Sequence, residues 1–104
     1  MDYIESILSK EICIRCTSIL VRKQLLGLHA ARERGGDVYV PFESKEHLAF
    51  ILRKLQTLGL LFADAPAGWP PAAVFEHLRD EGLLQGRIKT VTWRQPNQPV
   101  LGLD

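Results

Sequence analysis

The sequence predicts an α+β fold in a single domain, with a long N-terminal helix or two tandem helices, two further helices, and a small antiparallel sheet with a C-terminal β-hairpin. Three observations lead to this prediction. Residues 2–34 contain no proline, and their first glycine is Gly27. Apolar residues recur at helical spacing after Ser44. Near the C-terminus, two β-rich runs flank a set of turn residues.

The N-terminal segment, placed on a helical wheel at about 100° per residue, has two apolar stripes rather than one. One stripe consists of Ile4, Leu8, Ile12, Cys16, Ile19, Leu20, Leu26 and Ala30, and the other of Tyr3, Ile7, Ile14, Val21, Leu25 and Leu28. A helix with two stripes must be covered on both sides, so one face would pack on the core and the other on a partner. Ser9, a possible N-cap, marks the one place where the segment could divide into two helices. Gly35 and Gly36 end it.

The middle of the chain alternates between strand and helix signals. Residues 37–42 are rich in β-formers, and Pro41 limits that strand to an edge or an end. Ser44 is a predicted N-cap, and Gly59 lies where a helix of apolar period 3.6 should stop. Residues 60–63 then form a short apolar run that favours a strand.

The last third predicts one short helix and one hairpin. Pro70 and Pro71 suit a first helical turn, and Gly82 would end the helix. Residues 88–93 and 100–103 are the two predicted hairpin strands. Residues 1–36 are therefore interpreted as a helical dimerisation or partner-binding segment, and residues 37–104 as the compact α+β part of the same domain.

Composition excludes several classes of function but does not identify one. The chain has 104 residues, of which 46% are hydrophobic and 24% charged, as in ordinary globular domains. Thirteen basic and twelve acidic residues give a net charge of +1, without the basic excess of a dedicated nucleic-acid binder. No apolar run approaches the roughly 20 residues of a membrane span. The start of the chain is acidic where a signal peptide is basic, so we expect a cytoplasmic protein without a membrane anchor.

Cys13 and Cys16 form a C-x-x-C motif, the one motif that could carry chemistry. Bulky apolar neighbours and the lack of a preceding strand favour structural thiols over a redox pair, with redox sensing and an intermolecular bridge as alternatives. A zinc site would need further ligands, and the three histidines are isolated from one another. No nucleophile lies next to a histidine in sequence. We therefore predict no enzyme activity, no cofactor and no metal.

The leading hypothesis is a small regulatory protein that binds another protein through its outward apolar helix face. It could form a homodimer, or cover a partner's oligomerisation surface as an inhibitor or anti-activator. The predicted contact residues are Ile7, Ile14, Val21, Leu25 and Leu28, with Trp69 as an aromatic anchor in a proline-flanked loop. The other stripe could equally be the outward one.

The alternative hypothesis is a DNA-binding transcriptional regulator, dimerised through its N-terminal helix. From Ser44 onward, two short helices followed by a hairpin resemble a winged helix in outline. The basic residues that would contact DNA are Arg79, Arg87, Lys89 and Arg94. The helix in the recognition position also carries Glu76, Asp80 and Glu81, which the phosphate backbone would repel.

Overall fold

The computed structural model describes residues 1–64 and 70–103. In this part of the chain, three helices pack against a seven-stranded mixed sheet. The helices are α1 (Ile19–Leu26), α2 (Lys45–Thr57) and α3 (Pro71–Asp80). The strands are β1 (Tyr3–Ile7), β2 (Glu11–Arg15), β3 (Arg32–Arg34), β4 (Asp37–Pro41), β5 (Leu61–Ala63), β6 (Lys89–Gln95) and β7 (Gln98–Leu103).

The strands lie in the order β3-β4-β2-β1-β5-β6-β7. The pairs β1–β5 and β5–β6 are parallel, whereas the other neighbours are antiparallel. The helix α2 connects β4 to β5, and α3 connects β5 to β6. The predicted fold class is therefore wrong, because the sheet is large, mixed and central to the domain rather than a small antiparallel addition to a long helix.

The N-terminal segment is a β-hairpin followed by a short helix, not a long helix. Ile4 pairs with Ile14 and Ile7 with Ile12 across β1 and β2. The turn is closed by a hydrogen bond from the Leu8 amide to the Glu11 carbonyl, at 2.8 Å. Both strands carry apolar residues on both of their faces. Placed on a helical wheel, these residues fall into the two predicted stripes.

The junction between β2 and α1 is fixed by one carboxylate. Asp2 accepts hydrogen bonds from the backbone amides of Thr17, at 2.7 Å, and Ser18, at 3.2 Å. Partial burial tends to raise the pKa of Asp2, but these hydrogen bonds favour the charged form, and the pKa is lowered overall. The Ser18 hydroxyl then accepts the Val21 amide and caps α1.

The predicted helix after Ser44 is confirmed as α2. The Ser44 hydroxyl accepts the backbone amide of His47 at 3.0 Å, and Gly59 follows the helix with a φ of +80°. The C-terminal residues do form a hairpin, β6–β7, but it is one end of the large sheet. The winged-helix outline is wrong because α3 crosses between the parallel strands β5 and β6.

The core lies between one face of the sheet and the helices. Inward-facing strand residues such as Ile4 and Phe62 are fully buried against Leu52 of α2 and Phe75 of α3. The rings of Phe62 and Phe75 meet edge to face at 5.3 Å. Among the described residues, no helix is both long and apolar enough to cross a membrane.

The opposite face of the sheet carries a smaller cluster, formed by Tyr3, Ala63 and Val91 with Leu61 packed against it. All three helices contribute buried residues to the main cluster. In the described part of the chain, this second face is therefore left without a helix, and we call it the open face. Because side chains alternate along a strand, the residues of each strand that do not face the helices lie on the open face.

Candidate protein-interaction surface

The predicted contact residues of the N-terminal segment lie in or against the core. Ile14 and Leu25 are fully buried, and Ile7, Val21 and Leu28 are partly buried against the main cluster. An outward apolar stripe made of these residues does not exist, because residues 2–34 form neither one long helix nor two tandem helices. Trp69 lies outside the described residues.

Part of the other predicted apolar stripe, to which Ile19 and Leu20 belong, is exposed. Ile19 and Leu20, at the start of α1, are each 73% exposed. Beside α1, a groove of about 420 Å³ is lined by Leu28, Phe50 and Leu58 together with polar and basic side chains of α2. These features form two modest apolar areas on the helical side of the domain.

The largest group of exposed apolar side chains lies on the β6–β7 hairpin. Trp93 is 41% exposed, Val100 40%, Leu101 60% and Leu103 65%. Trp93 pairs with Pro99 and Val91 with Leu101, so the side chains of Trp93, Pro99, Leu101 and Leu103 share the open face. Val100, opposite Thr92, projects from the other face. We call Trp93, Pro99, Leu101 and Leu103 the hairpin surface.

The hairpin surface is held on a rigid base. The parallel pairing of β5 with β6 runs from Leu61 opposite Lys89 to Ala63 opposite Val91, and the hairpin continues past this point. The Tyr3 ring of β1 meets the Trp93 ring at 5.8 Å between centroids. This contact fixes Trp93 against the sheet and leaves the strand beyond it exposed.

The open face carries a polar cluster at its other end, on β1, β2 and β4. The Cys13 thiol lies 3.7 Å from a Glu5 carboxylate oxygen and 3.9 Å from an Asp37 oxygen. Arg15 donates from Nε to the same Asp37 at 3.4 Å. Arg15 also lies directly opposite Tyr3, so the polar cluster and the apolar cluster meet at the centre of the face.

The surroundings of Cys13 in this cluster favour the protonated form of its thiol. Burial raises the pKa of Cys13, and the neighbouring carboxylates raise it further, although a hydrogen bond with Tyr39 acts in the opposite direction. A raised pKa disfavours the thiolate that a nucleophile or a redox pair requires.

Cys16 lies on the other side of the strand from Cys13. It belongs to the main core, and its thiol contacts the Ser18 carbonyl oxygen at 3.3 Å. The two side chains of the C-x-x-C motif therefore point to opposite faces, a geometry that cannot close a disulfide. Both cysteines are free thiols.

Glu5, Cys13 and Asp37 place one ligand atom each within 4.8 Å of one another. A thiolate and two carboxylates could together coordinate a zinc ion. In this protein, Arg15 forms an ion pair with Asp37, and the Cys13 thiol lies within hydrogen-bonding distance of both carboxylates. The arrangement is satisfied as a network of hydrogen bonds and one ion pair.

The basic residues of the DNA-binding alternative are not gathered on one surface. Arg79 donates to the Gly86 carbonyl at 3.0 Å and lies over the Phe75 ring. Arg87 precedes β6, Lys89 is at its start and Arg94 near its end, so Lys89 and Arg94 are separated by roughly 16 Å at about 3.3 Å per residue. These four side chains do not form a helix-and-wing pair.

Comparison with protein-family models, with curated proteins and with solved structures found no match to this chain. The site must therefore be interpreted from its own geometry. The hairpin surface was missed in the sequence because the exposure of a strand depends on its place in the sheet. One signal was present: residues 95–103 contain no charged side chain, which is unusual for an exposed segment.

Proposed function

We propose that this chain is a small, non-enzymatic cytoplasmic regulatory protein that acts by binding another protein through its hairpin surface. The observation that carries the proposal is the exposure of Trp93, Leu101 and Leu103 together on the open face of one hairpin. Apolar residues scattered singly over a surface need no explanation, but a contiguous group at the end of a sheet is typical of interaction sites.

The chemistry of the hairpin defines the kind of partner. The outer strand, β7, offers backbone hydrogen-bonding groups and apolar side chains but no charge. A partner that fits this surface presents an uncharged β-strand with apolar side chains beside it. Such binding can regulate by covering a surface that the partner needs for its own assembly, and it requires no chemistry from this chain.

Two further observations are compatible with this proposal. The thiols of Cys13 and Cys16 are free and lie on opposite faces of β2, as in proteins of a reducing compartment. The polar cluster at Cys13 is internally satisfied and holds its thiol protonated, which argues against a nucleophilic role.

Site-specific photocrosslinking in living cells tests the proposal. A photoreactive benzoylphenylalanine at position 101 should give one saturable adduct of defined mass. The same group at position 46, an exposed site on α2, is the matched control and should give none. Equal yields from the two positions, or no adduct from position 101, would rule out the hairpin surface as a binding site.

A further inference from the structure

The strand β7 is an exposed edge without charged residues. It lies at the end of the strand order, and all six of its residues are exposed. Within residues 1–64 and 70–103, β7 pairs with β6 only. In an antiparallel pair, alternate N–H and C=O groups of the outer strand point away from its neighbour. A long edge strand without charged residues is a template for the addition of another strand.

The strand that fits best is β7 itself. A two-fold axis brings the same strand of two copies together in antiparallel orientation. Like charges directly opposite each other would destabilise such a pair, and β7 has no charged residue. An isologous interface must be self-complementary, and β7 meets this condition in charge, whereas Pro99 of each copy has no N–H to donate to the pairing.

The side chains of the hairpin surface also suit this arrangement. Residues directly opposite each other in antiparallel strands project to the same face, so the open faces of both copies lie on the same side. A pairing centred on Leu101 sets this side chain against its own copy and sets Pro99 against Leu103 of the second copy. Leu101 and Leu103 are the most exposed of the large apolar side chains of the hairpin, and each is then covered by the second copy, Leu101 by Leu101 and Leu103 by Pro99.

The charges near the edge do not oppose this pairing. Lys89 and Arg94 lie on β6, one strand in from the edge. The β6 strands of the two copies would be three strand spacings apart, about 14 Å at about 4.8 Å per spacing. That separation exceeds the Debye length of about 8 Å at physiological ionic strength, so their repulsion is largely screened.

We infer that β7 pairs with β7 of a second copy of this chain, so that two sheets join edge to edge into one continuous sheet. This inference rests on the proposed function, since it names the partner and the mode of binding at the hairpin surface. It also goes further, because it assigns the contact to the backbone of the edge as well as to the apolar side chains.

The test is the solution mass over a concentration series, measured by light scattering for the full chain and three variants. Val100→Lys adds a charge to each edge strand and should give a monomer at concentrations where the wild type is a dimer. Trp93→Glu changes a side chain of the hairpin surface but leaves the edge backbone intact, so this variant should dimerise more weakly than the wild type and more strongly than Val100→Lys. Leu20→Lys is the control on α1, where the side chain is 73% exposed, and it should remain dimeric.

Hydrogen exchange gives a second readout. Alternate amides of β7 should be protected in the dimer and should lose that protection on dilution or in Val100→Lys. The amides of β3 should not respond to concentration. Concentration-dependent protection confined to β7 would support edge pairing even if Val100→Lys proved poorly folded.

The remaining outcomes separate the inference from the proposed function. A wild type that stays monomeric at every concentration overturns self-pairing, and the photocrosslinking result still decides whether another protein binds. A dimer that Trp93→Glu dissociates and Val100→Lys does not would overturn edge pairing and support binding through the open face. A dimer that only Leu20→Lys dissociates would overturn self-association through the edge and through the open face, and the photocrosslinking result would again decide whether another protein binds at the hairpin surface.

Discussion

The two edges of the sheet differ in length and in charge, two properties that control strand addition. β3 has three residues, Arg32–Arg34, and all of them are charged. β7 has six residues, Gln98–Leu103, and none of them is charged. A short charged edge resists pairing with another chain, whereas a long neutral edge favours it.

The charges of β3 are held in place by its neighbours. Arg32 forms an ion pair with Glu11 of β2 at 2.9 Å and lies over the Tyr39 ring of β4. Glu33 pairs with Arg22 of α1. Exposed ion pairs of this kind contribute only about 0–1 kcal/mol to stability. Their larger effect is to keep charge on an edge that would otherwise be open, so that, if β7 pairs as inferred, only one edge of the domain accepts another strand.

The largest effect is expected when β3 is made to resemble β7. The variant Arg32→Thr/Glu33→Val/Arg34→Thr keeps the β-forming character of the strand and removes its charges. With two edges able to pair with another strand, each molecule can pair on both sides. The solution mass should then grow beyond that of the dimer as the protein concentration rises. Light scattering after size exclusion measures this growth.

A charge-conserving triple variant, Arg32→Lys/Glu33→Asp/Arg34→Lys, is the matched control and should keep the wild-type mass. Adding Val100→Lys to the neutral triple variant should restrict assembly again to a dimer, now joined through β3. If the neutral variant keeps the wild-type mass at all concentrations, charge is not what protects this edge.

A smaller effect is expected where β7 is attached to β6. A Cβ added at Gly102 would lie 2.8 Å from the Thr90 hydroxyl oxygen, closer than ordinary contact. Gly102→Ala should therefore lower the free energy of unfolding by about 1–3 kcal/mol, the usual cost of overpacking. Urea denaturation measures the change.

The cost should disappear when the opposing hydroxyl is removed. In a Thr90→Ala background, Gly102→Ala should be neutral or slightly stabilising, because glycine is otherwise a weak strand residue. An equal cost in both backgrounds would show that the contact between these two residues does not limit the packing of β7 on β6.

The difference between the edges also explains how much the sequence could predict. The helix α2 was found because its signals are local: Ser44 caps it and Gly59 follows it with positive φ. The N-terminal hairpin was missed because its turn at Ser9 and Lys10 contains no glycine, asparagine or proline. The local period then favoured a helix.

The candidate site was missed for a different reason. An exposed apolar surface was expected, but it was placed on Ile14 and Leu25, which the structure buries. Whether a strand is central or at an edge depends on long-range pairing, such as that of β1 with β5, whose residues Tyr3 and Leu61 are far apart in sequence. No local pattern encodes the order of the strands, although the uncharged run that includes β7 was one signal of the hairpin surface.

The smallest effect concerns the charged end of the open face, where the polar cluster surrounds Cys13. Burial, together with the charges of Glu5 and Asp37, raises the pKa of Cys13, so this thiol should react with iodoacetamide more slowly than an ordinary cysteine near pH 8. Asp37→Asn removes one carboxylate and frees Arg15, and both changes favour the thiolate. Its alkylation rate at pH 8 should rise by about threefold to tenfold, since one pKa unit is a factor of ten in the concentration of thiolate.

Peptide mass mapping measures the alkylation of Cys13 separately from that of Cys16. Asp80→Asn, an exposed change on α3, should leave the rate unchanged, and an unchanged rate in Asp37→Asn would mean that burial alone controls the thiol.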